Sequence, residues 1–578
     1  MSYIDAIHDQ RRNLVKVVER DEHGNRRLVD YPAEYVFYYS HPAGSSRSIY
    51  GDQCRKYSTN DGNKFKKELR RYEFDTDKQG RPKYKIFEKD INPIFRCLAD
   101  NYRGAEAPKL HLGFFDIETG FCQKRGFAPP ADPFNPITAI SIYLSSVGRC
   151  VTLALKPNTY TRDDAQEICE SFEDTFLFDD ECEMLRTFLQ VIEDVDVLTG
   201  WNSTLFDIPY VVNRIIRLMD VDTTRDLCLW GQKPRQRMIP RFGKEHESYD
   251  LVGRCHLDYL ELYQKHNPQQ MHSYRLDYIG EAEVGENKVA YEGTLDDLYN
   301  KDFYKFVEYS RQDVMLMVKI DAKKQFIELA NQIAHVNSVL LKTTLGSVTL
   351  VEQAIINEMH DMGLVVPNRK VVVEDEFVPT GTADDDDDED GENDFGGKAP
   401  VVGAYVAKPK KGIATHVGCV DINSLYPSAI RALNISPETI VGQIRSTETK
   451  ALIAERIASG TKRAEAWDGL FSTVEFQHML DRSGAPIWVD FDDGTSKEMS
   501  GRQLYDYIFD PKNHLCITAN GTIFKTKTEG IIPQLLEKWY VERQTMQGMK
   551  KAFASITKDG LKLPSDIADA VSAKLESG

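Results

Sequence analysis

Residues 110–120 have the sequence LHLGFFDIETG, and this stretch decides the fold of the middle of the chain. The apolar run is typical of a buried β-strand, on which residues two apart point to the same face. Asp116 and Glu118 should therefore converge on one side of the strand. Burying two carboxylates is costly unless cations neutralise them, and such hard oxygen ligands suit Mg²⁺ or Mn²⁺. The stretch predicts a metal site, against the alternative of an ordinary strand end exposed to solvent.

Two further acids occupy patterns that suit the same site. Asp207 lies in LTGWNSTLFDIPYVVNR (198–214), where an aromatic and apolar frame holds a carboxylate at a predicted helix start. Asp313 lies in YSRQDVMLM (309–317), four residues after Tyr309, and this spacing places both on one face of a helix. Four carboxylates and one phenol thus have compatible positions.

The strings FDIET, GWNSTLFDIPY and YSRQD, in this order, resemble the three exonuclease motifs of the family B DNA polymerases and related DEDDy exonucleases. The resemblance implies an RNase H-like domain that hydrolyses the terminal phosphodiester of DNA in the 3′→5′ direction. Asp116, Glu118, Asp207 and Asp313 would hold two divalent ions, Mg²⁺ or Mn²⁺, and Tyr309 would orient the attacking water. A chance coincidence of acids is the competing interpretation.

A second constellation begins at Asp421, in DINSLYPSAIR (421–431), where the pattern predicts the end of a strand, a turn and a helix. A core strand that ends in a surface turn is the simpler interpretation. The string also resembles the first polymerase motif of family B. By that resemblance Asp421 would bind both catalytic metals, Ser424, Leu425 and Tyr426 would hold the triphosphate of a dNTP, and Tyr426 would exclude a ribose 2′-hydroxyl.

The helical string VERQTMQGMK (541–550) resembles the start of the fingers domain of the same family. By this resemblance Arg543 would hold the incoming triphosphate, and an ordinary surface arginine is the alternative interpretation. Gln547 stands where the family usually has a second basic residue, which puts the strength of triphosphate binding in doubt. Three more strings resemble the T-even phage branch: SYRLDYIGE (273–281), GAYV (403–406, a candidate template-backbone contact) and RALNISPETIVG (431–442).

Half of the polymerase site has no match in the sequence, because neither KxxxNSxYG nor YGDTDS follows Arg543. A two-metal transfer site needs carboxylates from both motifs, so Asp421 alone should not support synthesis. We therefore expect an N-terminal subunit of a split DNA-directed DNA polymerase. A C-terminal subunit would supply the remaining palm, fingers and thumb and bind the sliding clamp. A fragment of a longer chain would look identical, and the sequence also fits a stand-alone 3′→5′ exonuclease or an RNA- or DNA-binding regulator.

Two local patterns lie in the last part of the chain. The Asn520-Gly521 pair in CITANGTIF (516–524) predicts a tight hairpin, and helical spacing runs from 534 to 556.

The overall prediction is a multidomain α/β protein. We predict an N-terminal α+β domain (1–109 and 328–398, with an acidic disordered loop near 381–397), an exonuclease domain (110–327), a partial palm (399–529, with an insertion at about 445–510) and partial helical fingers (530–578).

Charge and composition leave the partner open. The net charge is −18, but residues 384–394 contain nine acids and no base, and without them it is −9. No apolar run approaches the roughly 20 residues that cross a bilayer. The ten cysteines form no CxxC pair, which favours reduced thiols. Together with the resemblance, this predicts action in the cytoplasm of an infected bacterial host, on primer–template DNA, single-stranded DNA 3′ ends and dNTPs, and not at a membrane.

Overall fold

The computed structural model of the protein describes residues 2–241, 244–369, 411–413, 415–422, 424–461, 465–467, 469–470 and 472–558. The chain divides into two compact units, residues 1–369 and 370–578. The predicted acidic loop near 381–397, the segment 403–406 and residues 559–578 lie outside the described residues. Both units combine helices and sheets, so the predicted α/β class is confirmed. The finer domain boundaries stay predictions.

The first unit contains sixteen described strands and eleven described α-helices. The strands are β1 (Ser2–Asp9), β2 (Leu14–Arg20), β3 (Arg26–Pro32), β4 (Tyr35–Ser40), β5 (Ser46–Ser48), β6 (Gln53–Thr59), β7 (Ile86–Phe87), β8 (Leu112–Thr119), β9 (Ile137–Leu144), β10 (Arg149–Leu155), β11 (Thr175–Phe178), β12 (Val197–Gly200), β13 (Arg235–Arg241), β14 (Lys244–Asp250), β15 (Cys255–Asp258) and β16 (Leu364–Val365). The helices are α1 (Gly62–Glu73), α2 (Pro93–Tyr102), α3 (Arg162–Glu170), α4 (Glu181–Val191), α5 (Asp207–Leu218), α6 (Tyr259–His266), α7 (Leu276–Val284), α8 (Leu295–Lys301), α9 (Phe303–Lys324), α10 (Phe326–Asn337) and α11 (Val348–Asp361). Short 3₁₀ helices span Thr223–Leu227 and Leu341–Leu345.

A six-stranded mixed sheet forms the centre of this unit, in the order β11-β10-β9-β8-β12-β15. Strand β8 pairs antiparallel with β9 and parallel with β12, which in turn pairs parallel with β15. The first seven strands form two smaller sheets, β1-β2-β3 and β16-β5-β6-β4-β7, the second of which also includes β16 from the end of the unit. Strands β13 and β14 form a separate hairpin. The predicted strand at 110–120 is confirmed as β8.

Helices cover both faces of the central sheet, because its strands are apolar on both sides. Phe115 and Ile117 belong to a core shared with α4 and α5. Phe114 belongs to a second core, which includes Val314 and Met317 of α9. Successive strand residues alternate between faces, so Asp116 and Glu118 lie on the α9 side of the sheet, together with Phe114. The period-two prediction for these carboxylates therefore holds.

The second unit contains a five-stranded antiparallel sheet in the order β19-β18-β17-β21-β20. Two of its strands, β18 and β19, come from the predicted insertion at about 445–510 and share a core with the others. The elements are α12 (Leu425–Ala432), β17 (Ile440–Ile444), α13 (Thr447–Ala458), α14 (Val474–Leu480), β18 (Pro486–Phe491), β19 (Ser496–Ser500), α15 (Gly501–Phe509), β20 (Leu515–Ile517), β21 (Thr522–Lys525) and α16 (Ile531–Lys558), with 3₁₀ turns at Pro437–Thr439 and Glu465–Trp467.

Two predictions about local structure in this unit are confirmed, and one is wrong. The hairpin at Asn520-Gly521 forms between β20 and β21, with Gly521 at φ +88°. The helix from 534 lies within α16. The strand predicted before Asp421 is not formed, because residues 415–422 have no regular secondary structure. A strand needs hydrogen-bonded neighbours, and the described strands of this sheet pair only with one another. Among the described residues, no helix is long and apolar enough to cross a bilayer.

Candidate metal centre

Three carboxylates from two elements meet beside the central sheet. Asp116 and Glu118 come from β8, and Asp313 comes from α9. One oxygen of each lies within 4.8 Å of the others. Glu118 is 7% exposed and Asp313 is 1% exposed, whereas Asp116 is partly exposed, so two of the three carboxyl groups lie away from water. The structure thus brings together three of the four carboxylates predicted from the sequence.

Helix α9 is fixed against the sheet by polar contacts next to Asp313. The Ser310 and Ser141 hydroxyls form a hydrogen bond of 2.8 Å. Arg311 donates through Nη1 to the Thr152 hydroxyl (3.1 Å) and the Thr175 hydroxyl (3.0 Å). Buried hydrogen bonds of this kind have strict geometry, so they set the register of the helix on the sheet. The Asp313 carboxylate is consequently held opposite β8.

Asp207, the fourth predicted carboxylate, lies beside this group at the first residue of α5. It is 2% exposed, and its Oδ1 accepts a hydrogen bond from the Ile117 N–H of β8 (3.2 Å). Its oxygens are not among the three that lie within 4.8 Å of one another. The hydrogen bond nevertheless attaches Asp207 to the strand segment between Asp116 and Glu118.

Burial makes the ionised forms of these acids unfavourable. Desolvation, followed by the charge of Asp313, raises the pKa of Asp116 to about 7. Desolvation and neighbouring carboxylates raise the pKa of Glu118 and of Asp207 well above their ordinary values. Burial also raises the pKa of Asp313. A compact group of acids with raised pKa values is typical of a functional site that receives positive charge.

Lys288 is a site residue that the sequence reasoning missed. Its Nζ donates to Asp313 Oδ2 (2.6 Å) and to the Tyr309 hydroxyl (3.3 Å). The Tyr291 ring packs edge-on against Tyr309, with centroids 5.3 Å apart. Lys288 comes from the irregular connection between α7 and α8, where no strand or helix period relates it to the acids. Only the tertiary fold could place it there.

The donor set fits divalent metal ions. All its ligand candidates are carboxylate oxygens, which Mg²⁺ and Mn²⁺ prefer. Asp313 Oδ1 is buried and has no hydrogen-bond partner, although Oδ2 of the same carboxylate is paired with Lys288. A buried acceptor without a partner is costly, and a cation at this position would satisfy it. The number and identity of the ions stay predictions.

The predicted polymerase residues lie in the second unit. Asp421 is exposed in a segment without regular structure, and the Tyr426 side chain is 69% exposed at the start of α12. Ser424 precedes that helix with φ +53°, a left-handed backbone, and Leu425 is 52% exposed. Arg543 is exposed on α16. Helices α12 and α16 are joined by the ion pair of Arg431 with Glu537. The assignment of nucleotide-binding roles to these residues stays a prediction.

Comparisons with known proteins match both units. The family model "DNA polymerase family B, exonuclease domain" matches residues 69–279, and the model "DNA polymerase family B" matches residues 337–563. Asp116, Glu118 and Asp207 lie within the first match, whereas Tyr309 and Asp313 lie between the two matches.

Three relatives are similar over part of the chain. The DNA-directed DNA polymerase of Escherichia phage RB69 is 29% identical over 357 residues, which are 58% of this chain and 36% of the relative. That of Enterobacteria phage T4 is 26% identical over 270 residues (46% and 27%). A DNA polymerase of Pyrococcus glycovorans is 26% identical over 367 residues (61% and 41%). The matched part of the chain thus spans between 27% and 41% of the length of these relatives.

Proposed function

The chain belongs to the family B DNA polymerases, and from that premise we propose that it carries a complete proofreading 3′→5′ exonuclease and one half of a DNA polymerase site. The observation that carries the exonuclease proposal is the group of Asp116, Glu118 and Asp313, with oxygens within 4.8 Å of one another. The buried and unpaired Asp313 Oδ1 supports the same proposal.

In the proposed exonuclease, the four acids hold Mg²⁺ or Mn²⁺ at the 3′ end of single-stranded DNA. When bound, two such ions would lower the pKa of a water molecule and stabilise the leaving 3′-oxygen. Tyr309 would orient that water through its hydroxyl. Lys288 keeps the phenol and Asp313 in place, because its ammonium group contacts both.

An aromatic pair in the segment that follows Glu118 along the chain suits the unpaired end of the substrate. Phe121 and Phe127 follow β8 and pack edge to face, with centroids 5.0 Å apart. They are 41% and 57% exposed, so both rings offer apolar surface to a ligand. Bases of single-stranded DNA stack on such rings without sequence preference. We assign this pair to the bases that precede the hydrolysed nucleotide.

For the polymerase half, Asp421 would bind the catalytic metals and Arg543 the triphosphate, while Tyr426 would exclude a ribose 2′-hydroxyl. Val417, Val420 and Ile422 flank Asp421 and are 58% to 93% exposed, although such side chains normally lie inside. These side chains would be covered when further palm segments pack on them. The same segments would bring a second carboxylate next to Asp421. We propose that a separate C-terminal subunit supplies these segments, the remaining fingers and the thumb, and also binds the sliding clamp.

Action in the cytoplasm of an infected bacterial host is part of this proposal.

The test is primer degradation and primer extension with Mg²⁺, for the chain alone and mixed with the polypeptide encoded next to it. We expect degradation by the chain alone and extension only in the mixture. Asp116→Ala should abolish degradation and keep extension in the mixture. Asp421→Ala should abolish extension and keep degradation. Degradation without extension in the mixture would favour a stand-alone exonuclease. Extension by the chain alone would contradict the half-site proposal, and degradation that survives Asp116→Ala would contradict the exonuclease proposal.

A further inference from the structure

Asp258 is a buried carboxylate outside the acids described above. It is the last residue of β15, where it pairs in register with Gly200 at the end of β12. It is 2% exposed. Its Oδ1 accepts hydrogen bonds from the Asn202 N–H and the Leu260 N–H, and its Oδ2 accepts one from the Thr204 N–H, all at 2.9 Å. Three such charge-assisted bonds offset much of the cost of burying the carboxylate.

Two of those three amides belong to the loop 200–206, which has little freedom to move. Asn202 has φ +61°, a left-handed backbone that needs support from its surroundings. A Cβ on Gly200 would lie 2.8 Å from the Phe115 carbonyl oxygen, so the loop passes close to β8. The Ser203 hydroxyl is hydrogen-bonded to His256 Nε2 (2.9 Å), and the Ser248 hydroxyl donates to the Thr204 carbonyl (2.7 Å). Strands β14 and β15 thus hold this loop from one side.

The loop leads directly into Asp207. Phe206 stands at the cap of α5 and makes no side-chain hydrogen bond to the helix, so the helix start depends on the loop for its position. The Asp207 carboxylate is in turn attached to the Ile117 N–H. A displacement of residues 202–204 would therefore move Asp207 relative to Asp116.

We infer that Asp258 is a positioning residue of the exonuclease site, whose contacts to the Asn202 and Thr204 amides set the place of Asp207 and thereby the affinity of the site for divalent ions. The inference rests on the proposed exonuclease function. The hydrogen-bonded connection from Asp258 to Asp207 runs through the backbone of the loop, and, after desolvation, the Asp258 charge also contributes to the raised pKa of Asp207. Residues that orient metal ligands typically change metal affinity or activity about 10- to 100-fold when they are replaced.

The experiment is direct Mn²⁺ binding to the full chain, measured by electron paramagnetic resonance of free Mn²⁺, for the parent and for Asp258→Asn. Asparagine keeps the shape but replaces one acceptor oxygen with an NH₂ group that faces a backbone donor. We expect Mn²⁺ binding about tenfold weaker, with a parallel rise in the Mg²⁺ concentration for half-maximal degradation of single-stranded DNA.

The matched control is Glu475→Gln in the second unit. Glu475 is also 2% exposed, and its Oε1 accepts from the Glu448 N–H (2.6 Å) and the Thr449 N–H (3.2 Å) at the start of α13. The Glu475→Gln variant should lose about as much folding stability as Asp258→Asn, but its Mn²⁺ affinity should equal that of the parent. Equal weakening in both variants, or parental affinity in a folded Asp258→Asn variant, would overturn the inference.

A second variant and the behaviour of the parent protein separate a failure of this inference from a failure of the proposed function. If Asp258→Asn does not fold, Ser248→Ala takes its place, because it removes one neutral hydrogen bond from the same loop. About threefold weaker Mn²⁺ binding is then expected, which corresponds to one such bond, and unchanged affinity would overturn the inference. Failure of the parent to bind Mn²⁺ or to degrade DNA would instead contradict the proposed function itself.

Discussion

At the scale of single residues, the candidate metal centre combines several carboxyl groups with one ammonium group. Lys288 pairs with Oδ2 of Asp313, whose Oδ1 is buried without a hydrogen-bond partner. Desolvation and neighbouring carboxylates raise the pKa of Asp116 and Glu118, and a divalent cation bound by these acids would favour their ionised forms.

Replacement of Lys288 by methionine should destabilise the metal-free protein. Breaking a buried pair costs about 3–5 kcal/mol, but the Lys288 side chain is about a third exposed, so we expect a loss of roughly 1–3 kcal/mol. Denaturant unfolding in EDTA and in Mg²⁺ measures the effect, and Mg²⁺ should restore more stability in the variant than in the parent. Lys301→Met is the control, because Lys301 forms an exposed pair with Asp297. Equal losses for both variants would contradict this view of Lys288.

The raised pKa of Asp116 predicts the direction of a pH effect. A carboxyl group that binds its proton more tightly in the folded state stabilises that state at low pH and loses this contribution as pH rises. Without divalent ions, the contribution should decline between about pH 4 and pH 7, since the pKa moves from its ordinary 3.8 to about 7. The melting temperature of the parent minus that of Asp116→Asn, followed over this range in EDTA, should fall. A constant or rising difference would show that the Asp116 carboxyl is not protonated in the folded protein.

At the scale of secondary-structure elements, the start of helix α5 follows from a sequence pattern, whereas its position in the domain depends on tertiary contacts. The string DIPYVVNR predicts the start of a helix with Asp207 at its first residue, and the structure has the same start. The contact that fixes the helix against the rest of the domain was not predictable. Arg214 donates two hydrogen bonds to Glu181 of α4 (2.8 and 2.6 Å) and a third to the Pro133 carbonyl (2.8 Å).

Loss of this anchor should be far more costly than loss of a similar pair at the surface. Arg214→Met leaves the Glu181 carboxylate buried with only the Ile137 N–H as a partner, and we expect a loss of about 3–5 kcal/mol. Arg217, three residues further on, pairs with Asp132 where both side chains are nearly half exposed. Arg217→Met should cost below about 1 kcal/mol. Chemical denaturation of the two variants gives the comparison, and similar losses would contradict the proposed anchor.

At the scale of the whole molecule, the two units have separate tasks in the proposed function. Asp116, Glu118, Asp207, Asp313 and Lys288 lie within residues 1–369, whereas Asp421 and Arg543 lie within residues 370–578. The β1-β2-β3 sheet is attached to the exonuclease part by the buried pair of Arg20 with Asp196 (2.6 Å).

A fragment of residues 1–369 should fold and degrade single-stranded DNA at a rate within about twofold of the full chain, because Asp116, Glu118, Asp207 and Asp313 all lie within this unit. Circular dichroism and a nuclease assay in Mg²⁺ check this expectation. The same fragment with Asp116→Ala controls for contaminating nucleases. A folded fragment without nuclease activity would mean that residues beyond 369 complete the exonuclease site.

The sequence by itself determined the family, through its motifs, and the α/β class, because strand and helix periods depend on neighbouring residues along the chain. It also predicted the carboxylates that the structure brings together at the candidate metal centre, and their use as metal ligands stays a prediction. It placed Asp116 and Glu118 on one face of a strand, and the structure agrees. Only the tertiary structure decided the role of Lys288, the amide contacts of Asp258 and the absence of a strand among residues 415–422. These features depend on groups far apart in sequence, or on sheet neighbours that must be present, and no local pattern encodes such contacts.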